Sequence, residues 1–395
     1  MTITLRSGST NSGIQQNGNE FSTIDGSNNA AFSNNVTVSG ASTTAPSMVS
    51  GALTVNTTLT VPVGTTAARP VGVAGMVRLN STTGYSEYYN GTSWISVVGS
   101  NPSLTQKAIF GYGNVAGTNV SMTNLVSNTG VVATDVTGVG TARNDLAAAG
   151  YGTDKAIFGY GTTGANVSVT NLVSNTGVVS TDVTGVGTAR SGLAAAGYGT
   201  DKAIFGYGYT TAVVSMTNLV SNTGVVLTDT TGVGTARNGV SGVGYGGDLA
   251  IFAFGNTGVQ VSITNLVSNT GVVKTDTAGV AGVTARSRTA GSSYGTDKAI
   301  FAFGTNGSAP VTMSNLLSNT GVVSTDVTGV GTARYALAAA GYGTDKAIFG
   351  YGYSQLTSIY HSTTNLVSNT GVVSTDVTGV GTGRYAPAAA GFSLS

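Results

Sequence analysis

Apolar residues in this chain fall in short bursts divided by glycine, without the three-to-four spacing of an amphipathic helix. A representative stretch runs from Ala142 to Thr188. Residues 142–150 (Ala-Arg-Asn-Asp-Leu-Ala-Ala-Ala-Gly) read as a first strand of small residues, and 151–154 as a turn. Residues 155–161 (Lys-Ala-Ile-Phe-Gly-Tyr-Gly) read as a second strand, with Ile157 and Phe158 as core candidates. After a variable loop at 162–166, residues 167–174 (Val-Ser-Val-Thr-Asn-Leu-Val-Ser) predict a third strand. Asn175-Thr176-Gly177 predicts a tight turn, 178–183 a fourth strand, and 184–188 a glycine-rich link. Strands of β-branched and aromatic residues bounded by Gly, Asn and Asp are expected of an all-β fold.

The pattern recurs. Lys-Ala-Ile-Phe-Gly-Tyr-Gly begins at Lys107, Lys155, Lys202 and Lys346, with variants at Leu249 and Lys298, giving spacings of 48, 47, 47, 49 and 48 residues. Four short strands per unit of this length predict a β-propeller blade rather than a β-helix coil. The first copy begins at its second strand, whereas the chain finishes with a surplus first strand at 384–392 (Arg-Tyr-Ala-Pro-Ala-Ala-Ala-Gly-Phe). A ring can use that strand to complete its first blade and remove both open sheet edges. The expectation is therefore a six-bladed propeller over residues 104–395. Thr-Ala-Arg-x-x-Leu-Ala-Ala-Ala-Gly followed by Ala-Ile-Phe-Gly-Tyr-Gly resembles the first two strands of a kelch-type blade, with Gly-Tyr-Gly in place of the usual glycine pair and no blade Trp. That resemblance implies binding more often than catalysis.

The first hundred residues have another texture. Residues 1–45 are rich in Ser, Thr, Asn and Gly, with few apolar anchors, and read as an extended polar attachment segment. Residues 46–103 read as a small β-rich stalk or hairpin module. Its Arg78-Leu79-Asn80 strand, the Asn90-Gly91 turn and the following Trp94 resemble a β module frequent in tail fibres and other virion proteins of tailed bacteriophages. Trp94 is expected to pack rather than to bind. The resemblance implies a virion protein, made in the host cytoplasm, whose N-terminal region joins other virion proteins and forms a homo-oligomer, a trimer being favoured.

Composition narrows the function. Charged residues are 8% of 395, and 16 Lys and Arg nearly balance 15 Asp and Glu, which argues against a nucleic-acid partner held through phosphates. Mean hydropathy is +0.19, from dispersed Val, Ala and Ile; no apolar run reaches the length of a membrane span, so no membrane insertion is expected. The chain has no Cys and one His, and its two Glu are Glu20 and Glu87. No phosphate loop, calcium loop or Ser–His–Asp set is present, so neither an enzyme nor a cofactor or metal is expected.

Arg143, Arg190, Arg237, Arg286, Arg334 and Arg384 lead into the blades, and Asp135, Asp182, Asp229, Asp276, Asp326 and Asp376 occupy the fourth strands. Six copies of a charge serve a shared fold more naturally than a site, so Arg–Asp pairing is expected. Within the repeats, Asp145 is the one acid without a counterpart. Individuality lies in the loops 114–119, 162–166, 209–213, 256–260, 305–310 and 353–362, which share one face, while the Gly-Thr-Asp and Asn-Thr-Gly turns barely vary. The last loop diverges most. Tyr353, Gln355, Tyr360 and His361, with Tyr335 and Tyr385 after their blade arginines, form the candidate ligand-binding set. The functional expectation is a phage tail fibre displaying a propeller head to a host-surface glycan or protein. The alternative is a head fibre, decoration or other structural virion protein whose propeller packs against neighbouring subunits.

Overall fold

The computed structural model describes residues 61–82, 84–97 and 106–392, with the backbone of four short strands between Gln15 and Phe32. The chain divides into two compact units, Met1–Val98 and Gly99–Ser395. Its described structure is all-β but for one three-residue 3-10 turn at Thr66–Ala68.

In the first unit, Gln15–Gln16 pairs with Asn19–Glu20 and Ser22–Ile24 with Ala30–Phe32, as two small hairpins. Residues 35–40 and 51–61, whose alternation of apolar and polar residues also predicts strands, lie outside the described residues but for Val61. Val63–Gly64, Val77–Asn80, Ser86–Tyr89 and Trp94–Val97 form a four-stranded sheet, parallel only in its first pair. The Arg78-x-Asn80 pattern now has a physical reason. Both side chains are buried, and both reach the fully buried carboxylate of Glu87, Arg78 Nε at 3.3 Å and Asn80 Nδ2 at 3.1 Å. Arg69 completes the set at 2.7 Å. Asn90 Oδ1 accepts from the N–H groups of Thr92 and Ser93, and Gly91 takes φ +100° in the turn. Trp94 packs edge-on against Tyr89 with its ring beneath Arg78.

The second unit holds six three-stranded antiparallel sheets. Sheet 1 comprises Lys107–Gly111, Thr123–Val126 and Ala388–Phe392. Sheet 2 comprises Ala147–Tyr151, Lys155–Gly159 and Thr170–Val173, and sheet 3 Ala194–Tyr198, Lys202–Gly206 and Thr217–Val220. Sheet 4 comprises Ser241–Tyr245, Leu249–Ala253 and Thr264–Val267. Sheet 5 comprises Ala290–Tyr294, Lys298–Ala302 and Ser314–Leu317, and sheet 6 Ala338–Tyr342, Lys346–Gly350 and Thr364–Val367. In every sheet the Ala-Ile-Phe strand is central, and its Ala, Ile and Phe are wholly buried. The C-terminal strand does pair with the first repeat: Ala388 lies opposite Gly111, and Phe392 opposite Lys107. The first strands of successive sheets are neighbours, and that of sheet 1 lies beside those of both sheet 6 and sheet 2.

The expected fourth strand is not a strand. In sheet 2 it is reduced to two isolated bridges, Val179 to Val173 and Val183 to Thr170, and the other sheets repeat this. Ser180 N donates to Leu172 O, and Val183 N to Thr170 O, so three residues on one side span two on the other. The surplus at 181–182 is a bulge, and it frees Asp182 to turn away from the ladder. The other strands are shorter than expected as well. The second stops at Gly159 because Tyr160 and Gly161 take φ +64° and +103°. The first begins at Ala147 because Asp145, before it, takes φ +51°.

Deleting residues 384–395 strips the first strand from sheet 1 and exposes its central strand. The expected result is a melting temperature lower by about 10 °C or more, read by calorimetry. An unchanged melting temperature would show that this strand does not hold sheet 1 together.

Candidate functional site

The residues that lead into each sheet build a framework around one buried cation. Arg143 is fully buried. Its Nε donates to Tyr160 O at 2.8 Å, Nη1 to Thr141 O at 3.0 Å and Nη2 to Asn171 Oδ1 at 2.7 Å. The guanidinium also stacks on Tyr112 of the preceding sheet, 4.3 Å from the ring centroid. Asn171 Nδ2 then donates to Asp182 Oδ1 at 2.8 Å, and Asp182 accepts from Thr141 N at 3.0 Å. The expected Arg–Asp pair is thus mostly indirect. The two groups stand 4.0 Å apart here, and 3.6 Å at the nearest copy, Arg334–Asp376. Asn171 and its equivalents, unremarked in the sequence, are the closer partners. Arg190, Arg237, Arg286, Arg334 and Arg384 repeat the stacking on Tyr160, Tyr207, Phe254, Phe303 and Tyr351.

Burial opposes the charge on these groups, pushing Arg286 and Arg334 down to about 10, which leaves both protonated at neutral pH. For Asp182, burial raises the carboxyl. The hydrogen bonds from Thr141 and Asn171 and the charge of Arg143 together outweigh it, so the carboxyl titrates below its ordinary range.

At the start of the first strands, six backbone groups close on one another. Asp145 N donates to Ala386 O, Ala386 N to Ala336 O, and Ala336 N to Arg288 O. Arg288 N donates to Gly239 O, Gly239 N to Gly192 O, and Gly192 N to Asp145 O, at 2.7–3.2 Å. All six residues have φ between +48° and +60°. Four are Gly or Ala. The two charged ones, Asp145 and Arg288, stand three steps apart either way and so on opposite sides of the ring. A shallow cavity of about 80 Å³ opens there. Burial raises the Asp145 carboxyl, and Arg288 offsets this only in part.

Beside the ring sits the tyrosine cluster. The residue after each sheet's arginine bridges to the first residue of a variable loop: Asn144 to Thr162, Ser191 to Tyr209, Asn238 to Asn256, Ser287 to Thr305, Tyr335 to Tyr353, and Tyr385 to Asn114. Tyr335 therefore lies 5.9 Å from Tyr353 and 6.0 Å from Tyr385, centroid to centroid, and Tyr353 lies 4.9 Å from Tyr360. All four are half-buried. Gln355 is exposed in the turn of the Tyr353–Ser354/Ile359–Tyr360 hairpin. His361 is different: its Nε2 is buried without a hydrogen-bond partner, and burial, aided by Arg334, lowers its pKa. The residue as a whole is half-buried, with Nε2 as its enclosed atom. Arg288, absent from the sequence-based set, joins the cluster instead. Its guanidinium lies 5.3 Å from the Tyr385 ring and 5.9 Å from the Tyr335 ring. The signal was available, since Arg288 fills the repeat position held by Asp145.

A larger cavity, about 340 Å³, opens at the other ends of the first strands. It is lined by recurring residues such as Gly150, Gly197, Gly244 and Gly341, and by Lys155 and Lys202. Among the described residues no group of three or more His, Asp or Glu is placed to hold a metal ion, and no helix is long and apolar enough to cross a membrane.

Two outcomes are expected. Asn218→Ala removes the acceptor for Arg190 Nη2, 2.7 Å away, and leaves a buried cation short of a partner. It should cost about 3 kcal/mol in denaturant unfolding, and a loss under about 1 kcal/mol would show that the guanidinium does not depend on it. Asp145→Asn tests the ring. Because the folded-state pKa of Asp145 is raised, ionising it costs stability as pH rises above the unfolded value near 4. The variant should match the wild type in acid and melt higher at neutral pH, and the reverse order would refute the assignment. No family model matches this chain, and no curated protein matches it.

Proposed function

We propose that the second unit is a six-bladed, kelch-like propeller and that the protein is a virion fibre of a tailed phage, displaying that head to a host-surface glycan or protein. The ring reading is supported by the cyclic order in which the six sheets neighbour one another, with the C-terminal strand completing sheet 1. The virion reading rests on the likeness of residues 64–98 to the phage module and on the polar sequence before it. One observation carries the recognition role: one rim is nearly identical in every repeat, while the other carries six different loops and gathers Tyr335, Tyr353, Tyr360 and Tyr385. A scaffold that needed only to stack would not require such individuality on one rim. Trimerisation would fall to the N-terminal region, and linked heads would gain avidity from weak single contacts.

A second reading, a head fibre or decoration protein, is favoured by one feature. Val131, Val178, Val225, Val272, Val322 and Val372 are all exposed just after the Asn-Thr-Gly turns, in an apolar series that a neighbouring subunit could cover.

Changing Tyr353 and Tyr360 together to Ala tests the recognition reading. Particles carrying the variant should adsorb to host cells at least about tenfold more slowly, at unchanged melting temperature. Wild-type adsorption, or an image of the particle with the variable rim buried against neighbours, would favour the decoration reading.

A further inference from the structure

Arg288 breaks the rule the other arginines of the repeats obey. Those six are fully buried, and each donates to an Asn side chain of its own sheet. Arg288 is half-exposed, and its guanidinium has neither a hydrogen bond nor an ion pair with another described residue. Its side chain runs across the ring: a Cβ at Gly239 would meet its Cγ at 3.1 Å, and its far end reaches Tyr385 and Tyr335. Among the described residues only Asp145 supplies an opposite charge to the ring, from its far side, and it does not form an ion pair with Arg288.

A guanidinium with free donors, held between tyrosine rings beside an open mouth, is a receptor for a planar anion. The aromatic rings favour a partner with flat C–H faces. Arg288 calls for one negative charge, while the carboxylate across the ring accepts from hydroxyl donors and repels any further charge, which disfavours a dianion such as a phosphate. We propose that this mouth binds an acidic saccharide: Arg288 pairs with the carboxylate of a uronic or related sugar acid, Tyr335, Tyr353 and Tyr385 pack against the sugar ring, and Asp145 accepts from a hydroxyl. This inference rests on the recognition reading above and adds the ligand class to it.

The test measures binding of the full chain to a polygalacturonate oligosaccharide, to a sialylated oligosaccharide, and to the carboxyl-reduced form of each. At least one acidic probe should bind at least about tenfold more tightly than its reduced form. Arg288→Gln should erase that difference at unchanged melting temperature, and Arg288→Lys should restore it only in part. Equal binding of acidic and reduced forms would overturn the acidic assignment and leave saccharide recognition standing. Failure of every saccharide to bind would overturn the inference. If adsorption still depended on Tyr353 and Tyr360 in that case, the partner would be a protein; if it did not, the recognition reading would fail as well.

Discussion

A guanidinium buried between two sheets is the constraint on which the second unit depends. An isolated buried cation is costly, and it is tolerated here because all three guanidinium nitrogens of Arg143, Arg190, Arg237 and Arg334 are hydrogen-bonded. Arg190 donates to Tyr207 O, Thr188 O and Asn218 Oδ1 and lies 4.3 Å above the Tyr160 ring. Lysine could not fill this role, since a point charge lacks both the planar face for the ring and the fork for three acceptors. The same contacts fix the backbone. Tyr160 must turn out of its strand at φ +64° to lie under the guanidinium, and the Asp229 bulge must turn inward to hold the Thr188 that precedes it.

The clasp explains why sheets join in order. Each arginine bonds within its own sheet but stacks on the aromatic ring of the sheet before, so the same side chain builds a sheet and docks it. A second belt runs beside it, in which Tyr112 meets Phe158 and Tyr160 meets Phe205, ending with Tyr351 against Phe110. Glycine gives the closest approach at the centre of this belt: a Cβ at Gly159 would lie 2.7 Å from the Phe205 ring. Where Ala253 and Ala302 replace that glycine, the aromatic centroids stand at 5.4 and 5.5 Å rather than 5.1–5.2 Å, so the neighbour has given slightly. Departures of the linking sequence leave marks too. Arg286 follows a longer link, and Arg384 follows Gly383 instead of Ala; both have a buried Nε without a hydrogen-bond partner, and Arg286 a buried Nη1 as well.

A framework held from within leaves one rim free to vary. The ring positions carry Gly or Ala in four sheets and opposite charges in two, and the positions after the arginines carry Asn or Ser in sheets 2 to 5 but tyrosine in sheets 6 and 1. Backbone geometry is common to all six. What differs is the side chains it presents, which is the arrangement a binding surface needs.

The repeat length, the three strands of each unit, the C-terminal strand that completes sheet 1 and the gathering of Tyr335, Tyr353 and Tyr385 were all legible in the chain, because each follows from strand-like local composition or from the register of the repeats. The fourth strand was not. Residues 178–183 have strand composition, and only the pull of Thr141 and Asn171 on Asp182 converts them into a bulge. The arginines were legible as structural, yet their burial and their reliance on Asn171 and its equivalents were not, since nothing in a sequence distinguishes a surface ion pair from a desolvated one. Arg288 was hidden for a related reason. It is separated from Tyr385 by nearly a hundred residues, and only a backbone that closes six left-handed residues into one circle of hydrogen bonds brings an unpartnered charge from sheet 5 to rings from sheets 6 and 1.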